Sequence, residues 1–169
     1  NGLIVELGRF VLRSACEQLS AWRSANSALS SITLSVNLST QQMRDPTFAS
    51  YVRQRLDEND VRPERLTLEV TESLLAKDPE SMLDRLMYLK ELGVSLAIDD
   101  FGTGYSSLSY LQKYPFDVLK IDRSFVSDLG DPNSSAAGAV IKTIIDLAHH
   151  LGAATVAEGI EDLDTARTL

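Results

Sequence analysis

The sequence contains little of the chemistry that many enzyme sites use. One cysteine, Cys16, and two histidines, His149 and His150, occur among 169 residues. A single cysteine excludes an intrachain disulfide, and its place on the apolar face of a helical pattern predicts core packing. The histidines lie at the end of a predicted helix, before Gly152, where a positive charge favours the negative end of the helix dipole. We therefore expect no metal site built from histidine and cysteine.

Basic charge and long apolar runs are also scarce. The chain carries 24 acidic and 16 basic residues and a net charge of −8. This balance argues against a DNA or RNA groove, which needs a basic footprint. An anionic ligand can still bind where metal ions supply positive charge. No apolar run approaches the length of a membrane span, and no signal peptide is recognisable. We expect a cytoplasmic domain. The sequence leaves open whether the parent protein has an inner-membrane anchor elsewhere.

Both ends of the sequence suggest a piece of a longer protein. The first residue is not Met, and the first predicted helix has no strand before it. The last residues, DLDTARTL, stop inside a helical pattern. We therefore expect one domain over residues 1–169, truncated at both ends.

Helix and strand patterns alternate along the chain. Strands are predicted at 32–37, 66–71, 94–99, 118–122 and 154–158. Helices are predicted at 4–22, around 48–56, from Pro79 to Gly93 with Asp78 as N-cap, at 106–114, at 136–151 and from about 162. The segment 123–135 reads as an irregular loop. Repeated βα units predict parallel strands, in either an open doubly wound sheet or part of a (β/α)8 barrel.

Each predicted strand has an apolar face and a face that ends in a polar group. Because side chains alternate along a strand, Leu96 and Ile98 lie opposite Ala97 and Asp99. Fully buried parallel strands normally read as continuous apolar runs, so this pattern favours the barrel, whose outer face packs on helices. Active sites assemble at the carboxyl edge of such strands. The residues expected there are Asn37, Glu69, Asp99, Lys120, Asp122 and Glu158.

These side chains suit a hard divalent cation. Carboxylate and amide oxygens favour Mg²⁺ or Mn²⁺ over zinc. Asp99 and Asp100 are adjacent in LAIDDFGTGYSSL, and such acids repel unless a cation neutralises them. Two ions in this position would suit in-line attack on a phosphodiester, with Lys120 and Glu158 assisting. Each residue also has a structural alternative on its own, as a turn residue or cap (Asn37, Asp100), a strand-edge charge (Glu69), an ordinary ion pair (Lys120 with Asp122) or a loop acid (Glu158).

Five segments of the sequence resemble the EAL domain family, the bacterial cyclic di-GMP phosphodiesterases. They are SVNLS (35–39), EVTES (69–73), DDFGTGYSSLSYL (99–111), KIDRSFV (120–126) and AEGIE (157–161). The resemblance implies a (β/α)8 barrel that hydrolyses cyclic di-GMP to linear pGpG with Mg²⁺ or Mn²⁺. About five of the eight strands of such a barrel fit into 169 residues. The Glu-Ala-Leu signature and a later glutamine motif of the family are expected beyond the two ends.

The resemblance also implies a role for each matching residue. The first metal would be held by Asn37, Glu69 and Asp99. Asp99 would bridge to a second metal held by Asp100 and Glu158. Lys120 would contact the catalytic water or the phosphate with Asp122 alongside, and Glu158 would be the general base in single-metal descriptions. Glu72 would anchor the loop that begins at Asp99, and that loop and the next helix would form a homodimer contact. A GGDEF or sensor domain would fit the parent protein.

Two other functions stay open. One is a catalytically inactive module that binds cyclic di-GMP without cutting it. The other is a metal-dependent barrel lyase with acids on successive strands and a lysine base. The expected activity is that of a cyclic-guanylate-specific phosphodiesterase in the parent protein. The fragment itself is expected to be incomplete for activity, because an upstream glutamate would complete the first metal site.

Overall fold

The strands follow one another across the sheet in the order of the sequence. The computed structural model describes residues 2–75, 79–104, 108–130 and 137–169. Its five strands form one sheet in the order β1-β2-β3-β4-β5, with parallel pairing. Their bounds are Leu34–Asn37 (β1), Leu66–Thr71 (β2), Ser95–Phe101 (β3), Val118–Ile121 (β4) and Ala154–Ala157 (β5). A doubly wound sheet reverses its strand order at a switch point. This consecutive order therefore favours the barrel alternative.

Helices occupy the connections between the strands. Within the described ranges they are Leu3–Ala25 (α1), Thr40–Arg44 (α2), Phe48–Glu58 (α3), Glu72–Leu75 (α4), Pro79–Glu91 (α5), Leu108–Leu111 (α6), Arg123–Ser127 (α7), Ala137–His150 (α8) and Leu163–Thr168 (α9). Among these residues, none of the helices combines the length and the hydropathy that a bilayer crossing requires. The chain divides into a first unit, Asn1–Val70 with Asp78–Leu96, and a second unit, Thr71–Lys77 with Ala97–Leu169.

The core of the first unit lies between α1 and the apolar face of β1 and β2. Leu12 and Cys16 of α1 are fully buried, as are Leu66 and Leu68 of β2. Burial raises the pKa of the Cys16 thiol to about 11. The thiol therefore stays protonated and unreactive at neutral pH, and the prediction that it packs in the core is confirmed.

A close approach of two helices depends on Gly8. Ser39 and Gln42 form a capping box at the start of α2, in which Gln42 Oε1 accepts a hydrogen bond from the Ser39 backbone N–H at 3.1 Å. The Gln42 side chain is buried, and a Cβ added at Gly8 of α1 would overlap its terminal amide. Helix α2 is absent from our sequence prediction, although Ser39 and Gln42 have the spacing of a capping box.

The second unit packs β4 and β5 against α8. β4 pairs with β3 on one side and with β5 on the other. Leu119 and Ile121 of β4 are buried together with Ile141 and Ala148 of α8. The opposite face of β5 is open, since Val156 is 46% exposed. The apolar side chains of β4 thus face α8, as the alternation in the sequence predicts, whereas Val156 of β5 lies on the open face.

The structure corrects one predicted segment and several boundaries. The prediction of an irregular loop at 123–135 is wrong in its first part, because α7 and a 3-10 turn at Asp128–Gly130 lie there. Residues 131–135 lie outside the described ranges. β3 continues two residues beyond the predicted end at 99, and β4 and β5 each end one residue earlier than predicted.

The predicted ends of the helix after β2 agree with the structure. Pro79 is the first residue of α5, and Gly93 follows its end with a left-handed φ of 90°. The proposed N-cap, Asp78, lies outside the described residues. The short helix predicted at 106–114 is observed as Leu108–Leu111, and residues 105–107 lie outside the described ranges.

The contact between Gly8 and Gln42 predicts a large cost for a single methyl group. We expect Gly8→Ala to lower the free energy of unfolding by about 1–3 kcal/mol, because the added Cβ displaces a buried side chain and breaks the capping box. Urea unfolding followed by circular dichroism measures this change. Gly138→Ala in α8 is the control, since its Cβ would meet only Leu129 Cδ2 at 3.8 Å. Equal stability of the two variants would contradict this account of the packing.

A second prediction concerns Asp45, which precedes α3. Hydrogen bonds from the Thr47 side chain and backbone, together with Arg9, hold the pKa of Asp45 below its usual value. A lowered pKa stabilises the fold above the pKa of the unfolded state, and this contribution is lost as pH falls through the folded-state value. We expect Asp45→Asn to lower the free energy of unfolding by about 1 kcal/mol at pH 7. The difference from wild type should shrink in urea titrations below about pH 4. A difference independent of pH would show that the charge of Asp45 is not responsible.

Candidate functional site

The acids Asp99 and Asp100 lie at an irregularity near the end of β3. The register with β4 shifts between Ile98 and Phe101, and Asp100 has a left-handed φ of 53°. Aspartate tolerates this conformation better than most residues. Thr103 stabilises the turn, because its hydroxyl and its backbone N–H both donate to the Asp100 carbonyl, at 2.8 and 3.3 Å. A bulge of this kind re-aims side chains at the edge of a sheet.

Three carboxylates converge at the ends of β3 and β5. We call Asp99, Asp100 and Glu158 the acidic cluster. One oxygen of each lies within 4.8 Å of the others. Glu158 directly follows β5, and its backbone N–H donates to the Ile121 carbonyl of β4 at 3.2 Å. Parallel pairing of β4 with β5 therefore positions Glu158 beside the acids of β3.

Lys120 of β4 bridges two members of the acidic cluster. Its Nζ lies 2.7 Å from Asp99 Oδ1 and 2.7 Å from Glu158 Oε1. The Lys120 and Asp99 side chains are each only 13% exposed, so water screens this pair weakly. One ammonium offsets part of the charge of three carboxylates. A substantial negative potential remains at the site.

The remaining repulsion is visible at Asp100. Burial raises the pKa of this carboxyl above its usual value, and the negative charges of Asp99, Asp122 and Glu158 raise it further. Lys120 acts in the opposite direction. The ionised form of Asp100 is therefore disfavoured unless a further cation neutralises the site.

The donors of the acidic cluster fit a small, hard divalent cation. Two oxygens bound to one Mg²⁺ at about 2.1 Å lie at most about 4.2 Å apart. The oxygens of the acidic cluster all lie within 4.8 Å of one another, which is close to this limit. Carboxylate oxygens without imidazole or thiolate favour Mg²⁺ or Mn²⁺ among the common metals.

Asn37 and Glu69 form a neighbouring pair in the first unit. They are register partners at the carboxyl ends of β1 and β2. The backbone N–H of Leu38 donates to the Glu69 carbonyl at 2.8 Å and extends the pairing by one residue. Asn37 is exposed, whereas Glu69 is only 7% exposed.

Asp122 serves as a helix cap in the structure. β4 ends at Ile121, and Asp122 Oδ1 accepts a hydrogen bond from the Ser124 backbone N–H at 2.9 Å at the start of α7. Hydrogen bonds from the Ser124 side chain and backbone hold the pKa of Asp122 below its usual value. Asp122 therefore stays ionised near Asp100 and adds to the negative potential there.

Glu72 holds the loop that follows β3. It is 4% exposed, and its Oε2 accepts hydrogen bonds from the backbone N–H groups of Gly102 and Gly104, both at 3.0 Å. Gly102 has a left-handed φ of 98°, and a Cβ there would lie 2.7 Å from the Phe125 ring. This position therefore requires glycine.

Two residues that support the site are absent from our sequence prediction. Thr103 binds the Asp100 carbonyl, and Ser124 binds the Asp122 carboxylate. The Asp-Arg-Ser order at 122–124 is a recognisable side-chain turn pattern that could have identified Ser124. No comparable signal in the sequence identifies Thr103, because its partner is a backbone carbonyl.

Comparison with known proteins identifies the family. The model described as "EAL domain" matches residues 1–169. The chain belongs to the EAL domain family. It is 41% identical over 161 residues to the bifunctional diguanylate cyclase/cyclic di-GMP phosphodiesterase MucR of Pseudomonas aeruginosa, covering 95% of the EAL chain and 23% of MucR.

Solved structures agree with this assignment. The MucR phosphodiesterase in complex with c-di-GMP superposes with a TM-score of 0.91 at 39% identity, over 99% of the EAL chain and 66% of that chain. The EAL domain of Mycobacterium smegmatis DcpA gives a TM-score of 0.89 at 42% identity, with coverages of 98% and 73%. A manganese and c-di-GMP complex of Klebsiella pneumoniae BlrP1 gives 0.79 at 28% identity, with coverages of 95% and 40%.

These matches confirm the fold class but cover only part of each relative. The EAL chain is an α/β protein with five parallel strands and matches EAL domains as an incomplete (β/α)8 barrel. It spans about a fifth of the length of the first curated relatives that it matches.

The shared oxygen of Glu72 predicts coupled protection of two amides. We expect Glu72→Ala to increase hydrogen exchange at Gly102 and Gly104 at least about tenfold, because hydrogen bonds to a buried carboxylate are lost. Glu72→Gln keeps an acceptor oxygen and should restore part of the protection. Exchange followed by NMR measures both variants.

The control for this experiment is Glu80→Ala, which removes an exposed glutamate from α5. It should leave both amides unchanged. Normal protection at Gly102 and Gly104 in Glu72→Ala would refute the role of these two hydrogen bonds.

Proposed function

We propose that this EAL domain hydrolyses cyclic di-GMP to linear pGpG in its parent protein, using Mg²⁺ or Mn²⁺, and so lowers the level of this second messenger. The observation that carries the proposal is the acidic cluster beside Lys120. Three carboxylates and one ammonium occupy the carboxyl ends of neighbouring parallel strands, where barrel enzymes have their active sites. The c-di-GMP complexes of MucR and BlrP1 support the choice of substrate.

Asp99, Asp100 and Glu158 would hold metal in this proposal. Asn37 and Glu69 are proposed as further ligands, of the first metal, on the ground of the family motifs they occupy. A bound divalent cation supplies charge stabilisation at phosphate oxygens and lowers the pKa of bound water. Three carboxylates beside one ammonium leave a net negative charge, which a bound divalent cation would neutralise.

Lys120 and Glu158 are the proposed catalytic side chains. The Lys120 ammonium would donate to the attacking water or to a phosphate oxygen and stabilise the charge that develops there. Glu158 would accept the proton of the water as general base. Their present separation of 2.7 Å keeps Glu158 oriented toward the ammonium. Asp122 is proposed to act beside Lys120 as a negative charge. The hydrogen bond that it accepts from the Ser124 backbone N–H favours its ionised form.

Glu72 is proposed to anchor the loop that begins at Asp99. Its two hydrogen bonds to Gly102 and Gly104 lie within four residues of Asp100. The loop and the helix after Asp99 are further proposed as a homodimer contact. This would connect assembly with the placement of the two acids.

The parent protein is proposed to extend the chain in both directions. We propose residues 1–169 as part of one EAL domain, cytoplasmic in location, with a GGDEF or sensor domain and an inner-membrane anchor as candidate neighbours. The bifunctional name of MucR supports a cyclase partner in the same polypeptide.

The decisive variant is Asp99→Asn in the parent protein. We expect hydrolysis of cyclic di-GMP to fall at least about 100-fold, because the amide cannot replace a carboxylate that would hold the metal and that pairs with Lys120. Nucleotide chromatography after incubation with Mg²⁺ or Mn²⁺ measures the linear product. Asp164→Asn removes an acid that is 94% exposed in α9 and should leave turnover unchanged.

Near-normal turnover in Asp99→Asn, with circular dichroism unchanged, would reject the metal-site assignment. Calorimetry on the wild type separates the remaining alternative. Tight binding of cyclic di-GMP without any linear product would identify a binding module in place of an enzyme.

A further inference from the structure

A cavity of about 330 Å³ lies in the first unit, away from the carboxyl ends of its strands. Its wall combines the end of α1 with the segments that lead into β1 and β2, including Ile32 and Arg65. Asn37 and Glu69 lie at the opposite ends of these two strands. None of the residues of the proposed active site lines this cavity.

Positive charge is concentrated around the cavity. Arg23, Arg62 and Arg65 line it, against one acidic residue, Asp60. Glu64 lies 3.4 Å from Arg62, so the local balance is 3 − 2, or +1, in a chain whose net charge is −8. This local excess of positive charge attracts anions.

Two of the guanidinium groups are held in place by the protein. Arg23 pairs with the Asp60 carboxylate at 2.8 Å and also donates to the Asp60 carbonyl. Arg65 Nη1 donates to the Ser31 carbonyl at 2.7 Å. Because these guanidinium groups are already ordered, the entropic cost of binding an anion to them is smaller.

The same guanidinium groups retain hydrogen-bonding capacity. Each offers five N–H donors. Arg65 Nε is buried, and no described protein atom accepts a hydrogen bond from it. Arg62 is more than half exposed, and its nearest acid, Glu64, lies at 3.4 Å in an equally exposed position. The exposed guanidinium of Arg62 is therefore available to a ligand with several acceptor oxygens, and Arg65 lies in the same wall.

Apolar side chains form one part of the remaining wall, and Ser20 and Ser30 complete it. Leu19 and Val61 are buried there, and Leu29 and Ile32 are half-buried. A cavity of this volume that combines apolar side chains with convergent polar groups has the character of a small-molecule site. A bare inorganic anion would use the arginines and leave the apolar part of the wall wet.

We propose that this cavity binds a small organic phosphate. The phosphate monoester would be held by Arg62 and Arg65, and the apolar body of the ligand would lie against Leu29 and Ile32. Guanidinium groups suit phosphate because they bind its oxygens in pairs. The proposal does not depend on the phosphodiesterase activity, since it uses different residues.

Phenyl phosphate is the probe, because it joins a phosphate monoester to an apolar ring. In NMR titrations without divalent cations, we expect it to shift the amide signals of Val61, Arg62 and Arg65. Inorganic phosphate and phenol, which each present half of the probe, should bind at least about fivefold more weakly. Phenol binding as tightly as phenyl phosphate would overturn the proposal, as would unchanged signals at these amides.

Arg62→Met should weaken the affinity for phenyl phosphate about tenfold, which corresponds to the loss of one good charged contact. Arg62 is exposed and should be dispensable for folding, and thermal unfolding without ligand checks this. Arg44→Met is the matched control, because it removes the same charge from an exposed position in α2. Equal weakening in both variants would reduce the effect to net charge and reject the site.

Sedimentation with vesicles separates two sources of the same phosphate chemistry. A soluble ligand predicts binding of phenyl phosphate without sedimentation on vesicles that contain phosphatidic acid. Sedimentation on these vesicles, lost in Arg62→Met, would assign the phosphate to a lipid headgroup. Binding to neither probe overturns the proposal.

Discussion

Repulsion among carboxylates held at close range is the constraint on which the second unit depends. Oxygens of Asp99, Asp100 and Glu158 lie within 4.8 Å of one another, and the fold keeps them there with one bridging ammonium, that of Lys120. The side chains alone cannot maintain this arrangement, because each could rotate away from its neighbours. The backbone maintains it through parallel pairing of β4 with its neighbours, which places Lys120 between the strand ends that carry the acids. A bound cation would relieve the remaining repulsion among these carboxylates.

The rest of the second unit can be understood as support for that arrangement. Leu119 and Ile121 alternate with Lys120 along β4, so that the same strand anchors itself in the core with one face and presents its ammonium on the other. Helix α8 covers the apolar face. The bulge near the end of β3 then adds a second acid without displacing the first, because an extra residue in one strand changes the direction of only the local side chains.

The strands, and the proximity of Asp99, Lys120 and Glu158 at their ends, are predictable from the sequence, and the reason is physical. Alternation with period two reports which residues share a face, and it assigns Asp99 and Lys120 to the polar faces of their strands. The bulge after Asp99 is not predictable, because an inserted residue leaves no trace in a pattern that stops there. Short helices such as α2 and α7 escape prediction, since five residues contain too little periodicity. The same alternation assigns Asp122 to the face of Lys120, but β4 ends one residue earlier and frees Asp122 to cap α7.

The loop after β3 is bound to the carboxylate of Glu72. Two of its described backbone donors, Gly102 and Gly104, converge on one oxygen atom of Glu72 rather than on two. A rotation of that single carboxylate would break both of these hydrogen bonds together. The backbone beside the paired acids therefore depends on the orientation of one buried side chain.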